Sequence, residues 1–362
     1  MVNIRRGMNM LSGIKIKNFR GFKNISCQDF GRINILVGKN NVGKTAFLEA
    51  ILLFFGRQNP SLAMTINGMR GLGSIKLETN INIESPWSSL FYNFDSTKII
   101  SISCTDKSGE KTLQISVDKT IFTDESIGTS HQFEKILKIK DSTYLQALSF
   151  INSDNEEPFQ ILITNNGIRV NKPGFSERPA FYISSRGALD SKERAELFTK
   201  IDSVGRSHEI IDALQNIEPR LKRLSIGIIA DEPIILGDIG APRLIPLLLM
   251  GEGMMRLLDI LIRIINCENG AIMIDEIENG LHHSSQEKIW TVIGIMTQKY
   301  NVQIFASTHS LECVKNAYLA LSELPDDVLR VHRIERAEDE TRVKSFNISK
   351  LQTLFDLNLE VR

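Results

Sequence analysis

Eight consecutive residues, Gly38-Lys39-Asn40-Asn41-Val42-Gly43-Lys44-Thr45, match the pattern G-x-x-x-x-G-K-[ST] at every fixed position. Such a stretch suits one kind of chemistry, the holding of a phosphate chain. Its glycines let backbone N–H groups turn inward as an anion nest, at the point where a helix presents its N-terminus. Gly38, Asn40, Asn41, Gly43, Lys44, Thr45 and Ala46 are therefore the expected nucleotide-binding residues. Lys44 would reach the β- and γ-phosphates, and the Thr45 hydroxyl would be a ligand of Mg²⁺, so ATP and Mg²⁺ are the implied cofactors. An ordinary glycine turn before a helix would explain the glycines and leave the rest of the match unaccounted for.

A metal held by one hydroxyl needs another ligand, and hydrolysis needs a base. The stretch "AIMIDEIENGLHH" ends an apolar run on two adjacent carboxylates. Asp275, at the strand tip, is expected to hold Mg²⁺ through water, and Glu276 to orient and deprotonate the attacking water. "VQIFASTHS" is another apolar strand with a polar end, where His309 is placed to touch the γ-phosphate. Each alone reads as a solvated strand end. With the phosphate loop they form a set in which Lys44, Glu276 and His309 are the catalytic residues. His282 and His283 are metal ligands by type, but adjacent histidines point in different directions in most backbones, which argues against a metal there.

Strands must end and helices begin where this chemistry sits. The alternation in "GIKIKNFRGFKNISCQDFGRINILVG", broken at Gly21 and Gly31, reads as two or three strands, the last over 33–37. A helix over 44–55 follows, with Phe47, Leu48, Ile51, Leu52 and Phe55 at helical spacing. Hairpin signals at Ser108-Gly109 and Asn166-Gly167 mark an antiparallel β lobe inserted over 57–178, in which "SHQFEKILKI" is ambiguous. A buried-type strand returns in "RPAFYISSR" and opens a helical stretch over 190–222; "SIGIIADEPIILGDI" pairs two strands about Asp231-Glu232. A long helix "GEGMMRLLDILIRIIN" precedes the carboxylate strand, and a helix from 284, the strand of "VQIFAS", a helix from 311, a hairpin and a short helix complete the chain. The expected divisions are 1–56 and 251–362 as the two parts of an ATPase core, with the β lobe (57–178) and a return strand plus helical lobe (179–250) between them.

The chain's 362 residues are ample for a large α/β domain with an insertion. Lys+Arg and Asp+Glu are both 43, so no global positive field draws it to nucleic acid or anionic lipid. The cysteines at 27, 104, 267 and 313 form no C-x-x-C pair, which fits buried thiols in a reducing cytoplasm. No apolar stretch approaches the ~20 residues of a membrane helix, so a soluble, cytoplasmic protein is expected. Met8 and Met10 lie just before the first strand, and the residues ahead of them are expected to be a disordered leader or to precede the true start.

The order of these elements resembles the ABC-type ATPases of the SMC and RecF kind, and most closely the small prokaryotic AAA-family ATPases related to the overcoming-lysogenization-defect proteins. "IKNFRGFKN", the phosphate loop, "MGEGMMRLL", "MIDEIENGLHH", "ASTHS" and the closing "FNISKLQTLFDLNLEVR" carry the likeness. It implies an α/β fold: a P-loop ABC-type ATPase head with a mixed or parallel core sheet, an antiparallel β lobe and an α-helical signature lobe. It also implies a dimer that sandwiches ATP, in which a signature loop from one subunit caps the γ-phosphate held by the other. Gly251, Glu252, Gly253 and Arg256 occupy that loop here, with glycine at 251 where the family usually has serine. Glu278 and Asn279 would lie near the subunit interface. The family's nucleotide-sensing glutamine has no counterpart; Ser184, Ser185 and Arg186 stand there, and Ser184 or Arg186 is expected to take the role.

Related overcoming-lysogenization-defect proteins add a nuclease, whereas the late acids Glu335, Glu338, Asp339 and Glu340 read as a solvated hairpin, so no nuclease is expected within this sequence. The leading expectation is a switch in an antiviral, abortive-infection system that acts on a toxic effector, a nuclease or toxin, from a neighbouring gene. The alternatives are a DNA repair or maintenance ATPase that clamps nucleic acid between its β lobes, and a scaffold cemented by ATP with little turnover. Against DNA clamping, 57–178 has no cluster of Lys and Arg interleaved with aromatics and no long heptad-bearing helices.

Overall fold

The computed structural model describes residues 10–72, 87–118, 144–164, 167–171, 174, 176, 178–185, 189–337 and 340–357. From the N-terminus, β1 (Gly13–Phe19), β2 (Phe22–Gln28) and β3 (Ile33–Val37) lead into α1 (Lys44–Phe55) and α2 (Leu62–Met69). Five strands follow: β4 (Ile100–Asp106), β5 (Gly109–Asp118), β6 (Tyr144–Asn152), β7 (Asn155–Thr164) and β8 (Gly167–Asn171). After β9 (Ala180–Ile183) come α3 (Ser191–Asp202), α4 (Ser207–Leu214), β10 (Arg223–Ile229), β11 (Glu232–Asp238) and β12 (Ile245–Pro246). The remainder runs α5 (Glu252–Asn266), β13 (Ala271–Ile274), α6 (His283–Tyr300), β14 (Gln303–Ser307), α7 (Leu311–Leu321), β15 (Leu329–Ala337), β16 (Glu340–Phe346) and α8 (Ile348–Asp356).

Every residue of β3, β13 and β14 is buried, as expected of strands covered on both faces. They form the middle of a six-stranded sheet ordered β16-β15-β3-β14-β13-β9, parallel throughout except for the edge pair β15–β16. The two-residue period of a strand divides its core. Ile272 and Ile274 join the apolar cluster built with α5, α6 and α7, whereas Ala271 and Met273 join the one built around α1. The parallel strands all end on the same side, which brings the segments after β3, β13 and β14 together at one edge.

The second sheet is antiparallel, ordered β2-β1-β4-β5-β6-β7-β8. The lobe expected over 57–178 thus takes its first two strands from the segment before the phosphate loop, because β1 pairs with β4 as well as with β2. The expected helix over 44–55 is α1, and because it lies between the two sheets every residue except Thr45 is buried. A three-stranded sheet, β10-β11-β12, packs with α3, α4 and α5 as the third unit. Its hairpin turns on Ala230 and Asp231, both with positive φ, one residue earlier than expected. Helix α2 was not foreseen, and "SHQFEKILKI" lies outside the described residues. Among the described residues no helix is long and apolar enough to cross a membrane.

Candidate nucleotide site

The phosphate loop leaves β3 with Gly38 at φ 140° and enters α1 through Gly43 at φ 105°, both in the region that only glycine adopts readily. The neighbours are as exacting as the dihedrals. A Cβ on Gly38 would lie 2.4 Å from the Ile334 carbonyl, and one on Gly43 would lie 2.4 Å from the Phe22 ring. Lys44 folds back over the loop, with Nζ donating to the carbonyls of Gly38 (2.8 Å) and Lys39 (3.1 Å) and lying 3.4 Å from His309 Nδ1. Burial lowers its pKa, against the opposing pull of the Asp275, Glu276 and Glu278 charges.

Thr45 and Asp275 meet across 230 residues of sequence. Thr45 Oγ1 lies 3.2 and 3.1 Å from the two carboxylate oxygens of Asp275. A hydroxyl and a carboxylate converging at a helix N-terminus are hard oxygen donors of the kind Mg²⁺ takes beside phosphates, so these residues fit the metal. Asp275 is braced from the next strand, where Ser307 Oγ donates to its Oδ1 at 2.5 Å while accepting the Glu276 N–H at 2.9 Å.

Glu276 has φ 48°, unusual for a residue with a side chain. Its Oε1 lies 3.7 Å from His309 Nε2, and its Oε2 accepts from Asn279 Nδ2 at 2.9 Å. The His309 N–H donates to Glu278 Oε1 at 2.7 Å. Lys44, Thr45, Asp275, Glu276 and His309 are thus brought to one place by three strand ends.

The start of α5 approaches this turn from behind, within the same chain. Arg256 Nη2 lies 3.4 Å from the carbonyls of both Asp275 and Glu276. A Cβ on Gly253 would lie 3.2 Å from the Gly280 carbonyl, whereas one on Gly251 would meet nothing within 4 Å. Of the residues expected to form the capping loop, Arg256 and Gly253 therefore lie against the carboxylate turn of their own chain. Burial lowers the Arg256 pKa, opposed first by Asp259.

Several contributors went unread in the sequence. Glu49, one helical turn after Thr45, is buried and accepts from Arg70 Nε (2.6 Å), Arg70 Nη2 (3.1 Å) and Arg20 Nε (3.1 Å). Burial works against the Arg70 charge, yet the hydrogen bonds and charge of Glu49 outweigh it and raise its pKa. The Tyr182 phenol is pushed up by burial and then by the Asp275 and Glu49 charges. One signal was available, a lone carboxylate in the apolar run "AFLEAILLFF". Arg186 lies outside the described residues; Ser185 contributes its carbonyl, 3.3 Å from Asn279 Nδ2. His282 caps α6 through its ring nitrogen, and no metal-ligating cluster of three His, Cys, Asp or Glu occurs among the described residues. All four cysteines are buried and unpaired.

Residues 33–314 match the family described as "AAA domain, putative AbiEii toxin, Type IV TA system". A Helicobacter pylori (strain ATCC 700392 / 26695) protein named "ATP/GTP phosphatase" is 27% identical over 351 residues, covering 89% of this chain and 89% of that one. Among solved structures, an SMC head bound to the C-winged helix domain of ScpA superposes with a TM-score of 0.50 at 12% identity, over 95% of this chain and 99% of that one. At that identity the likeness is one of fold.

Proposed function

This chain belongs to the AAA-domain family described for AbiEii toxins of type IV toxin–antitoxin systems, and we propose that it hydrolyses ATP between two copies of itself to switch a partner effector in antiviral, abortive-infection defence. It is an ATPase of ABC/AAA type with the fold of an SMC-like head. The sandwich, the effector and the defence role are the proposed steps. The convergence of Thr45 and Asp275 beside Lys44, Glu276 and His309 carries the hydrolytic reading.

In this reading the triphosphate replaces the Gly38 and Lys39 carbonyls as the acceptor for Lys44, since charge-assisted hydrogen bonds are the stronger ones. Thr45 and Asp275 would hold Mg²⁺, which supplies charge neutralisation at the β- and γ-oxygens. Glu276 takes the proton of the attacking water, and His309, on the next strand end, contacts the γ-phosphate. The exposed start of α5 at Gly251 meets the partner's nucleotide, while Arg256 links that helix to the carboxylate turn. The description of the family supports the defence role, and the name of the Helicobacter relative, a phosphatase of ATP or GTP, supports turnover.

The test is the solution mass of Glu276→Gln, measured by light scattering with and without ATP and Mg²⁺. Loss of turnover with an ATP-dependent rise in mass is expected, because the closed pair forms and cannot hydrolyse its way open. A mass indifferent to ATP would remove the sandwich from the reading, and unchanged turnover would remove Glu276 as the base.

A further inference from the structure

Asn279 lies three residues beyond Glu276 in the turn between β13 and α6, and its side chain faces inward. Its Nδ2 donates to Glu276 Oε2 at 2.9 Å and lies 3.3 Å from the Ser185 carbonyl. An ionised carboxylate and a backbone carbonyl can only accept, so the amide must present its NH2 to both, one hydrogen to each. That chemistry fixes which way round the amide sits.

Glu276 is held at its other end as well. Its N–H is taken by Ser307 Oγ, and its backbone is in the left-handed region at φ 48°, a conformation that persists only where the surroundings impose it. With the backbone set by Ser307 and Oε2 set by Asn279, the remaining carboxylate oxygen is Oε1, on the side of His309 and Lys44. The Ser185 end has a second consequence. Ser185 follows β9 and opens the helical lobe, and Leu189, a little further on, is held by Asp259 of α5 and Arg194 of α3. One amide thus joins the carboxylate to the chain that enters the lobe, where the sequence lacks a sensing glutamine.

We propose that Asn279 is a positioning residue for hydrolysis: it fixes the Glu276 carboxylate with Oε1 toward the attacking water and makes that orientation depend on the loop at Ser185. The proposal rests on the reading of Glu276 as the base. It acts within one chain, unlike an interface role for the same residue.

Two variants separate positioning from packing. Asn279→Asp keeps the shape and sets a carboxylate against two acceptors; Asn279→Ala removes the donor. The expected results are a kcat lower by about 30-fold or more for the first and about tenfold for the second, with ATP KM, ATP affinity by titration and melting temperature unchanged. Single-turnover measurements should show that adding Asn279→Ala to Glu276→Gln costs nothing further, because the amide acts through the carboxylate it holds. A residue that only packs would lower the melting temperature and add its own loss in the double variant, and that result overturns the proposal. If Glu276→Gln stops turnover while both Asn279 variants keep kcat within about twofold, Asn279 is not the positioning residue and the base stands. If Glu276→Gln itself turns over normally, the base assignment falls and takes the proposal with it.

Discussion

The turn after β3 and the turn after β13 meet at Thr45 and Asp275, and they are held in place by different means. The first is a backbone structure: two glycines at positive φ, with the Ile334 carbonyl and the Phe22 ring occupying the space where side chains would begin. The second is a side-chain structure, in which Ser307, Asn279 and Arg256, from different parts of the chain, brace Asp275 and Glu276. A backbone site tolerates almost nothing at its fixed positions, whereas a side-chain site loses its function in steps.

Gly43→Ala should give the largest effect. The methyl would collide with Phe22 while the backbone is kept in a conformation that costs a residue with a side chain about 1–3 kcal/mol. Loss of ATP binding in a titration together with a lower melting temperature is expected. Wild-type affinity would show that the phosphate loop is not built as described.

Ser307→Ala tests the other material. One hydroxyl accepts the Glu276 N–H and donates to Asp275, so its removal leaves a part-buried donor without its partner and Asp275 Oδ1 with Thr45 alone, at about 1–3 kcal/mol. Turnover should fall by about tenfold while ATP affinity changes less, since Lys44 and the loop amides are untouched. An equal loss of affinity would mean that the two turns are one cooperative structure.

The same contrast explains what was legible in the sequence. A backbone that demands glycine at set positions writes itself as a pattern, and Gly38 to Thr45 could be read directly. The strands β3, β13 and β14 were legible because burial on both faces produces unbroken apolar runs. The braces were not. Ser307 and Asn279 are common residue types whose role appears only when a strand end 31 residues away, and a turn that folds back over three residues, bring them beside Asp275 and Glu276. Glu49, Arg70 and Arg20 belong to α1 and to loops on either side of it, and nothing in their spacing announces an ion cluster. The joining of β1 and β2 to the antiparallel lobe of β4 to β8 was hidden for a related reason: the pairing of β1 with β4 spans a long stretch of chain that local alternation does not report. Helix α1 was legible over 44–55, but the second sheet that buries its outer side was not.

Glu278→Gln should give the smallest effect, and one of opposite sign. Glu278 Oε1 accepts the His309 N–H, and a glutamine oxygen can do the same, so the loop carrying His309 keeps its bond. What changes is charge. Glu278 is one of three carboxylates whose fields reach Lys44, and a bound triphosphate would feel the same fields as repulsion. Removing one negative charge at that range should raise ATP affinity by about two- to fivefold and leave kcat within about threefold, with the gain shrinking as salt is added. A fall in affinity would show that Glu278 acts on the phosphate loop through structure, which would give the backbone-built turn a side-chain brace of its own.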